Sequence, residues 1–227
     1  MPKKLITETD IISAAKNGVR VISVEPDTIV TPSARDAAGR LQITLAAGND
    51  QPMIKTNVDS VTVIPPADER NPNASIVVGL GADHGGYQLK VTLKKYILDL
   101  GYTVADVGTH SEEACDYPDF AYAVAALVAS GQASRGIMID AVGVASSIVA
   151  NKVPGIRAVS ASSEFAAKSS REHTDANVLT LGGRVLGPEA AKSILKVWLE
   201  TWFGGGRHQH RVKKISDIEE KFLKRRS

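Results

Sequence analysis

The sequence predicts an α/β protein: a doubly wound sheet of five parallel strands, preceded by a small α/β unit. Two observations carry this. From Ser75 onward, short apolar segments alternate with helix-period segments of about a dozen residues, the pattern of a parallel sheet with crossover helices. The first of these segments, Ile76-Val77-Val78-Gly79-Leu80, is continuously apolar, as in a strand buried on both faces. A composition of 43% hydrophobic and 23% charged residues over 227 positions is ordinary for a folded chain and excludes a disordered or fibrous one.

Residues 1–46 form a first unit. Thr7 with Asp10 reads as an N-cap and acidic first turn, opening a helix that stops at Asn17-Gly18. Val19 to Val24 alternates and reads as a strand. Thr31-Pro32 caps a second helix through Arg40, with proline at N1. Leu41 to Leu45 suggests another strand. A unit of this size buries little core, so it is expected to dock on its own chain or on a partner. Residues 47–73, with Pro52, Pro65-Pro66 and Asn71-Pro72-Asn73, read as a linker, within which Val58 to Ile64 could form an edge strand.

The remaining residues, 74–227, form the main domain. After the strand at Ile76–Leu80 comes a helix over Tyr87–Leu100, stopped by Gly101. Strands follow at Thr103–Val107, Gly136–Ile139, Ile156–Val159 and Asn177–Leu181. Helices are expected over Pro118–Ser130, from Val144, over Ser163–Glu172, over Pro188–Trp202, and from about Gln209.

Several function classes are excluded. One cysteine, Cys115, supplies neither an internal disulfide nor a cysteine-rich zinc site. The opening Met1-Pro-Lys-Lys-Leu lacks the apolar core of a signal peptide, and no run approaches the ~20 apolar residues of a membrane helix, so a cytoplasmic protein without a membrane partner is expected. The net charge of +2 hides a tail, Arg207–Ser227, of net +5, against −3 for the rest. A solvated basic helix and an anion-binding element both fit. Aromatics are only 5% and do not interleave with the basic residues, which argues against nucleic acid.

In open parallel sheets ligands bind beyond the carboxyl ends of the strands. The segments after the strands are polar and glycine-rich. They are Asp83-His84-Gly85-Gly86, then Asp116-Tyr117-Pro118, then Asp140 to Ser147 with Gly143, and Gly182-Gly183-Arg184. Further along stand His173-Thr174, and Arg207 with Arg211, which share a helix face at i and i+4. Each alone fits an ordinary turn or surface residue. Together they favour a phosphate-ester site, with guanidinium forks to grip the anion.

These segments, with Asn151-Lys152-Val-Pro-Gly-Ile-Arg157 and Gly-Gly-Arg207-His-Gln-His-Arg211-Val, resemble the type B ribose-5-phosphate isomerases and the related galactose-6-phosphate isomerase subunits over about residues 75–223. The resemblance implies a Rossmann-like fold and a homodimer or tetramer with active sites between subunits. It implies aldose–ketose isomerisation of ribose 5-phosphate through an enediolate, without metal or cofactor. By residue, His173 aided by Asp83 would open the sugar ring, His84, Arg184, Arg207 and Arg211 would hold the phosphate, and Tyr117 would line the pocket. Backbone N–H groups of the loop after the third strand, around Gly143, would stabilise the enediolate.

Three positions depart from that pattern. Where the family has a cysteine base stands Asp140; where it has a helper threonine stands Val142; where it has asparagine beside the histidine stands Thr174. Two readings follow. Asp140 is the base, which requires burial to raise its pKa from ~3.9 toward neutrality. Alternatively the chain is a degenerate subunit, similar to the galactose-6-phosphate isomerase A subunit, that binds sugar phosphate and needs a cysteine-bearing partner. The N-terminal segments Lys4 to Ile11 and Ile29 to Asp36 resemble the start of the ethanolamine-utilisation Q protein. That likeness implies docking of residues 1–46 to a bacterial microcompartment shell or to other cargo.

Overall fold

A computed structural model describes residues 5–16, 21–24, 28–41, 43–47 and 61–224. The chain forms two compact units, 1–55 and 56–227.

In the first unit, β1 (Leu5–Ile6), α1 (Glu8–Lys16), β2 (Val21–Val24), β3 (Ile29–Val30), α2 (Pro32–Arg40) and β4 (Thr44–Ala47) follow one another. β1 pairs with β3 and β2 with β4, both parallel. The caps are those the sequence predicts: the Thr7 amide and hydroxyl both donate to Asp10 Oδ2 at 2.8 Å, and Thr31 Oγ1 accepts from the Ala34 amide at 3.2 Å. The small core holds Ile6, Ile11, Ala34, Ala37, Ala38 and Ile43. The expected helix stop at Asn17-Gly18 lies outside the described residues.

The second unit contains β5 (Thr62–Ile64), β6 (Val77–Ala82), α3 (Tyr87–Asp99), β7 (Thr103–Asp106), α4 (Tyr117–Ala129), β8 (Arg135–Asp140), α5 (Val144–Ala150), β9 (Ala158–Ser160), α6 (Glu164–Thr174), β10 (Val178–Gly182), α7 (Pro188–Glu200) and α8 (Arg207–Leu223). Its sheet has six strands in the order β5-β7-β6-β8-β10-β9. The five expected strands are present and parallel. The sixth, β5, pairs antiparallel with β7 along the edge, so the end of the stretch read as a linker belongs to this unit. The half-exposed edge position explains why its sequence signal is faint.

The strands β6, β7, β8 and β10 are buried almost throughout, as expected for a sheet covered on both faces. On one face Leu89, Leu93 and Ile97 of α3, Ala167 of α6, and Ile194, Leu195 and Trp198 of α7 pack on Leu80, Ile137 and Leu179. On the other, Val124, Ala125 and Leu127 of α4 and Ala150 of α5 pack on Ala105 and Val178. α4 lies so close that a Cβ at Gly81 or Gly136 would fall 2.8 or 2.6 Å from Val124. Strand order reverses at β6, which has β7 on one side and β8 on the other. The crevice beyond the carboxyl ends of β6 and β8 is therefore the place where such sheets bind ligands.

Candidate active site

Asp83 follows β6 and Asp140 ends β8. The two strands are in register through Ala82 and Ile139, so the carboxylates stand side by side at the switch point. The Asp83 amide donates to the Ile139 carbonyl at 3.1 Å, and its Oδ1 accepts from the Gly86 amide at 2.9 Å. The Gly85 amide also acts on this carboxylate. Burial raises the Asp83 pKa, and the charge of Asp140 adds to this against the Gly86 and Gly85 amides and His84.

Asp140 is arranged differently. Its Oδ1 accepts from the amides of Val142 (2.7 Å) and Gly143, and its Oδ2 from the Ser146 amide (3.0 Å) and the Ser146 hydroxyl. The carboxylate thus sits across the start of α5 and satisfies N–H groups that a helix N-terminus leaves open. Burial pushes its pKa up, but these four donors outweigh it and hold Asp140 below the ordinary carboxylate range. This corrects the expectation attached to Asp140 as a base: its environment moves it away from neutrality. The loop amides of Val142, Gly143 and Ser146 thus already serve Asp140. Gly143 turns the loop at φ 88°, where a Cβ would meet the Leu181 carbonyl carbon at 2.8 Å.

His84 is exposed beside this pair. Its Nδ1 accepts from the Cys115 amide at 3.3 Å and lies 3.2 Å from the Cys115 carbonyl. A cleft of about 450 Å³ opens there, lined by His84, Thr109, Glu113, Asp116 and Phe120 among others. Tyr117 begins α4 at its edge. The Arg184 amide donates to Ala141, which places that exposed arginine beside the Asp140 loop.

His173, Thr174, Arg207 and Arg211 lie elsewhere. A parallel sheet requires each crossover helix to run back against the strands. The last turn of α6, with His173 and Thr174, therefore stands at the amino ends of the strands. Arg157, just before β9, confirms the place: its Nε donates to the carbonyls of Thr174 and Asp175. Asp175 then pairs with Arg157 (2.9 Å) and Arg171 (2.8 Å), fixing the end of α6. α8 starts at the same end, where the Gly204 amide donates to Glu172. The His173 ring stacks on His208 at 4.3 Å and 12°, with Ser169 Oγ 3.1 Å from His173 Nδ1. The Arg207 Nε reaches His208 Nε2 at 3.4 Å, and Arg207 and Arg211 are exposed. Thr174 Oγ1 donates back to the Ser170 carbonyl at 2.6 Å. Within one chain the expected site is thus two half-sites at opposite ends of the sheet. The rule that ligands bind beyond the carboxyl ends does not reach His173, which lies beyond a helix rather than directly after a strand. It also missed His208, whose only signal was its place between Arg207 and Arg211.

The ribose/galactose isomerase family model matches residues 78–215, more than half of the chain. The chain belongs to the ribose/galactose isomerase family. Ribose-5-phosphate isomerase B of Escherichia coli is 46% identical over 144 residues, covering 63% of this chain and 97% of that protein. A galactose-6-phosphate isomerase subunit, LacA 2, of Streptococcus pyogenes is 39% identical over 139 residues, covering 61% and 96%. The structure of Clostridium thermocellum ribose-5-phosphate isomerase B superposes with a TM-score of 0.64 at 50% identity, covering 65% of this chain and 99% of that one. Members of the family are sugar-phosphate isomerases, and this chain is one. The matched region is the second unit; the first unit precedes it. Among the described residues no cluster has the make-up of a metal site, and no helix is long and apolar enough to cross a membrane.

Proposed function

We propose that the chain interconverts ribose 5-phosphate and ribulose 5-phosphate at sites completed by a second copy. The observation that supports it most is the separation of the two half-sites. Asp83, His84 and Arg184 stand at the carboxyl ends of the strands, and His173, Arg207 and Arg211 at the amino ends. A second copy presenting its amino end would bring ring opener, phosphate grip and carboxylates around one sugar phosphate. Mixing Asp83→Asn chains with His173→Gln chains tests this. Each alone is expected to lose turnover of ribose 5-phosphate, and hybrid oligomers regain up to about a quarter to a half of the sites. No recovery in mixed oligomers overturns the shared site.

A second reading is favoured by one observation, the commitment of Asp140 to its loop. On that reading the chain is a sugar-phosphate-binding subunit that depends on a cysteine-bearing partner. A turnover assay of the pure chain on ribose 5-phosphate and galactose 6-phosphate separates the readings: activity without a partner rejects the second.

We further infer that residues 1–46 dock the enzyme to a microcompartment shell or to other cargo, placing it inside such a compartment in the cytoplasm. Their separate compact core supports a self-contained docking unit. Deletion of residues 1–55 is expected to leave the isomerase unit folded and to release it from a co-expressed shell. Unchanged co-purification rejects the docking role.

A further inference from the structure

Resting on the isomerase reading, we propose that Asp83, not Asp140, moves the carbon-bound proton in this chain. A base of this kind needs a lone pair facing the substrate and a proton affinity matched to neutral pH. Asp140 has neither: both its oxygens are filled by two donors each, from Val142, Gly143 and Ser146. Asp83 is held far less: the Gly86 amide at 2.9 Å and the Gly85 amide are its donors, and no side-chain hydroxyl or amide beyond that turn occupies it among the described residues. It directly follows the neighbouring strand, beside Asp140, where the strand order reverses.

The two carboxylates act as a pair. Side by side in a mostly buried crevice, they resist ionising together, and the one with more hydrogen-bond donors keeps the charge. Asp140, anchored by four donors, is the permanent anion. Asp83, 6% exposed and beside that charge, is the one that takes up and gives back a proton. The cysteine replaced at Asp140 is therefore answered one strand away, with Asp140 as a positioning residue.

The step balances within the sugar. In the open aldose, the Asp83 carboxylate takes the C2 proton. The C2–H electron pair forms the C1–C2 double bond, and the carbonyl pair moves onto O1. The O2 hydroxyl proton passes to O1. Asp83 then returns its proton to C1, and the O2 pair forms the C2 carbonyl. No oxidant or reductant enters.

The experiment must separate this role from ring opening. Ribulose 5-phosphate provides the means. Its O5 carries the phosphate, so the ketose cannot close a five-membered ring and is open from the start. Wild type, Asp83→Asn and His173→Gln are compared in D₂O, following both ribose 5-phosphate turnover and deuterium wash-in at C1 of ribulose 5-phosphate by NMR. Asp83→Asn is expected to lose both by on the order of 10²–10⁴-fold. Inhibition by inorganic phosphate should be unchanged. His173→Gln is expected to lose turnover of the cyclic aldose and keep wash-in. Wash-in at the wild-type rate in Asp83→Asn overturns the proposal, whether or not turnover falls. Wild type without turnover or wash-in overturns the isomerase reading, and this one with it.

Discussion

Removing the Asp140 carboxylate should destabilise the second unit strongly. In Asp140→Ala, three backbone amides and the Ser146 hydroxyl lose their acceptor together. Hydrogen bonds to a charged group contribute about 1.5–3 kcal/mol each, and the values do not add. The exposed Val142 lets water replace one of them, whereas Ser146 is fully buried and has no such replacement. The expected loss is about 3–5 kcal/mol, since each buried donor left without an acceptor costs about 1–3 kcal/mol and the values do not add fully. At 2–4 °C per kcal/mol for a chain of this size, Tm falls by roughly 10 °C. Urea unfolding followed by tryptophan fluorescence is a suitable assay, because both tryptophans, Trp198 and Trp202, lie in this unit. The folded pKa is held below the unfolded one, near ~3.9. The charge-dependent part of the difference between wild type and variant is therefore present above that value and is lost as pH falls through the folded pKa. A loss under ~1 kcal/mol at pH 7, or one insensitive to acid, refutes the anchoring argument.

Asp83 should behave in the opposite sense. Its folded pKa is raised, so the folded chain binds more protons than the unfolded one between the two values, and stability falls as pH rises through that window. Asp83→Asn is expected to unfold at higher urea than wild type at pH 7, with the gain vanishing below the ordinary carboxylate pKa. Lys90→Met should cost about 3 kcal/mol, because Asp106, 1% exposed and 2.6 Å from Lys90, would keep only Lys94 and the Gly108 amide; urea midpoints measure it. Gly86→Ala puts a Cβ 2.2 Å from the Ile139 carbonyl oxygen, so β6 and β8 must part at their ends. Its kcat/KM should fall at least tenfold more than its Tm shift alone accounts for.

The sheet was legible because burial on both faces writes itself as uninterrupted apolar runs, as in Ile76–Leu80 and Gly136–Ile139. β5 was nearly invisible because an exposed, three-residue edge strand has no such constraint. The site residues were legible by type and not by place. Asp83 and Arg184 directly follow strands, and their end of the sheet can be read from order alone. His173 is separated from β9 by a whole helix, and only the direction of that helix reveals that it stands at the far end. The direction in which the fold moves the Asp140 pKa was not legible for a related reason: the influence opposing burial comes from amides that the turn at Gly143 folds back onto it.

A catalytic set split between the two ends of one sheet would tie activity to concentration. In the shared-site arrangement, a folded chain on its own holds half of what the reaction needs. Dilution would then silence the enzyme while its circular dichroism stayed unchanged, and concentrating it would restore turnover without refolding. The fold and the reaction would answer to separate equilibria, and the cell could adjust the second by crowding copies together without touching the first.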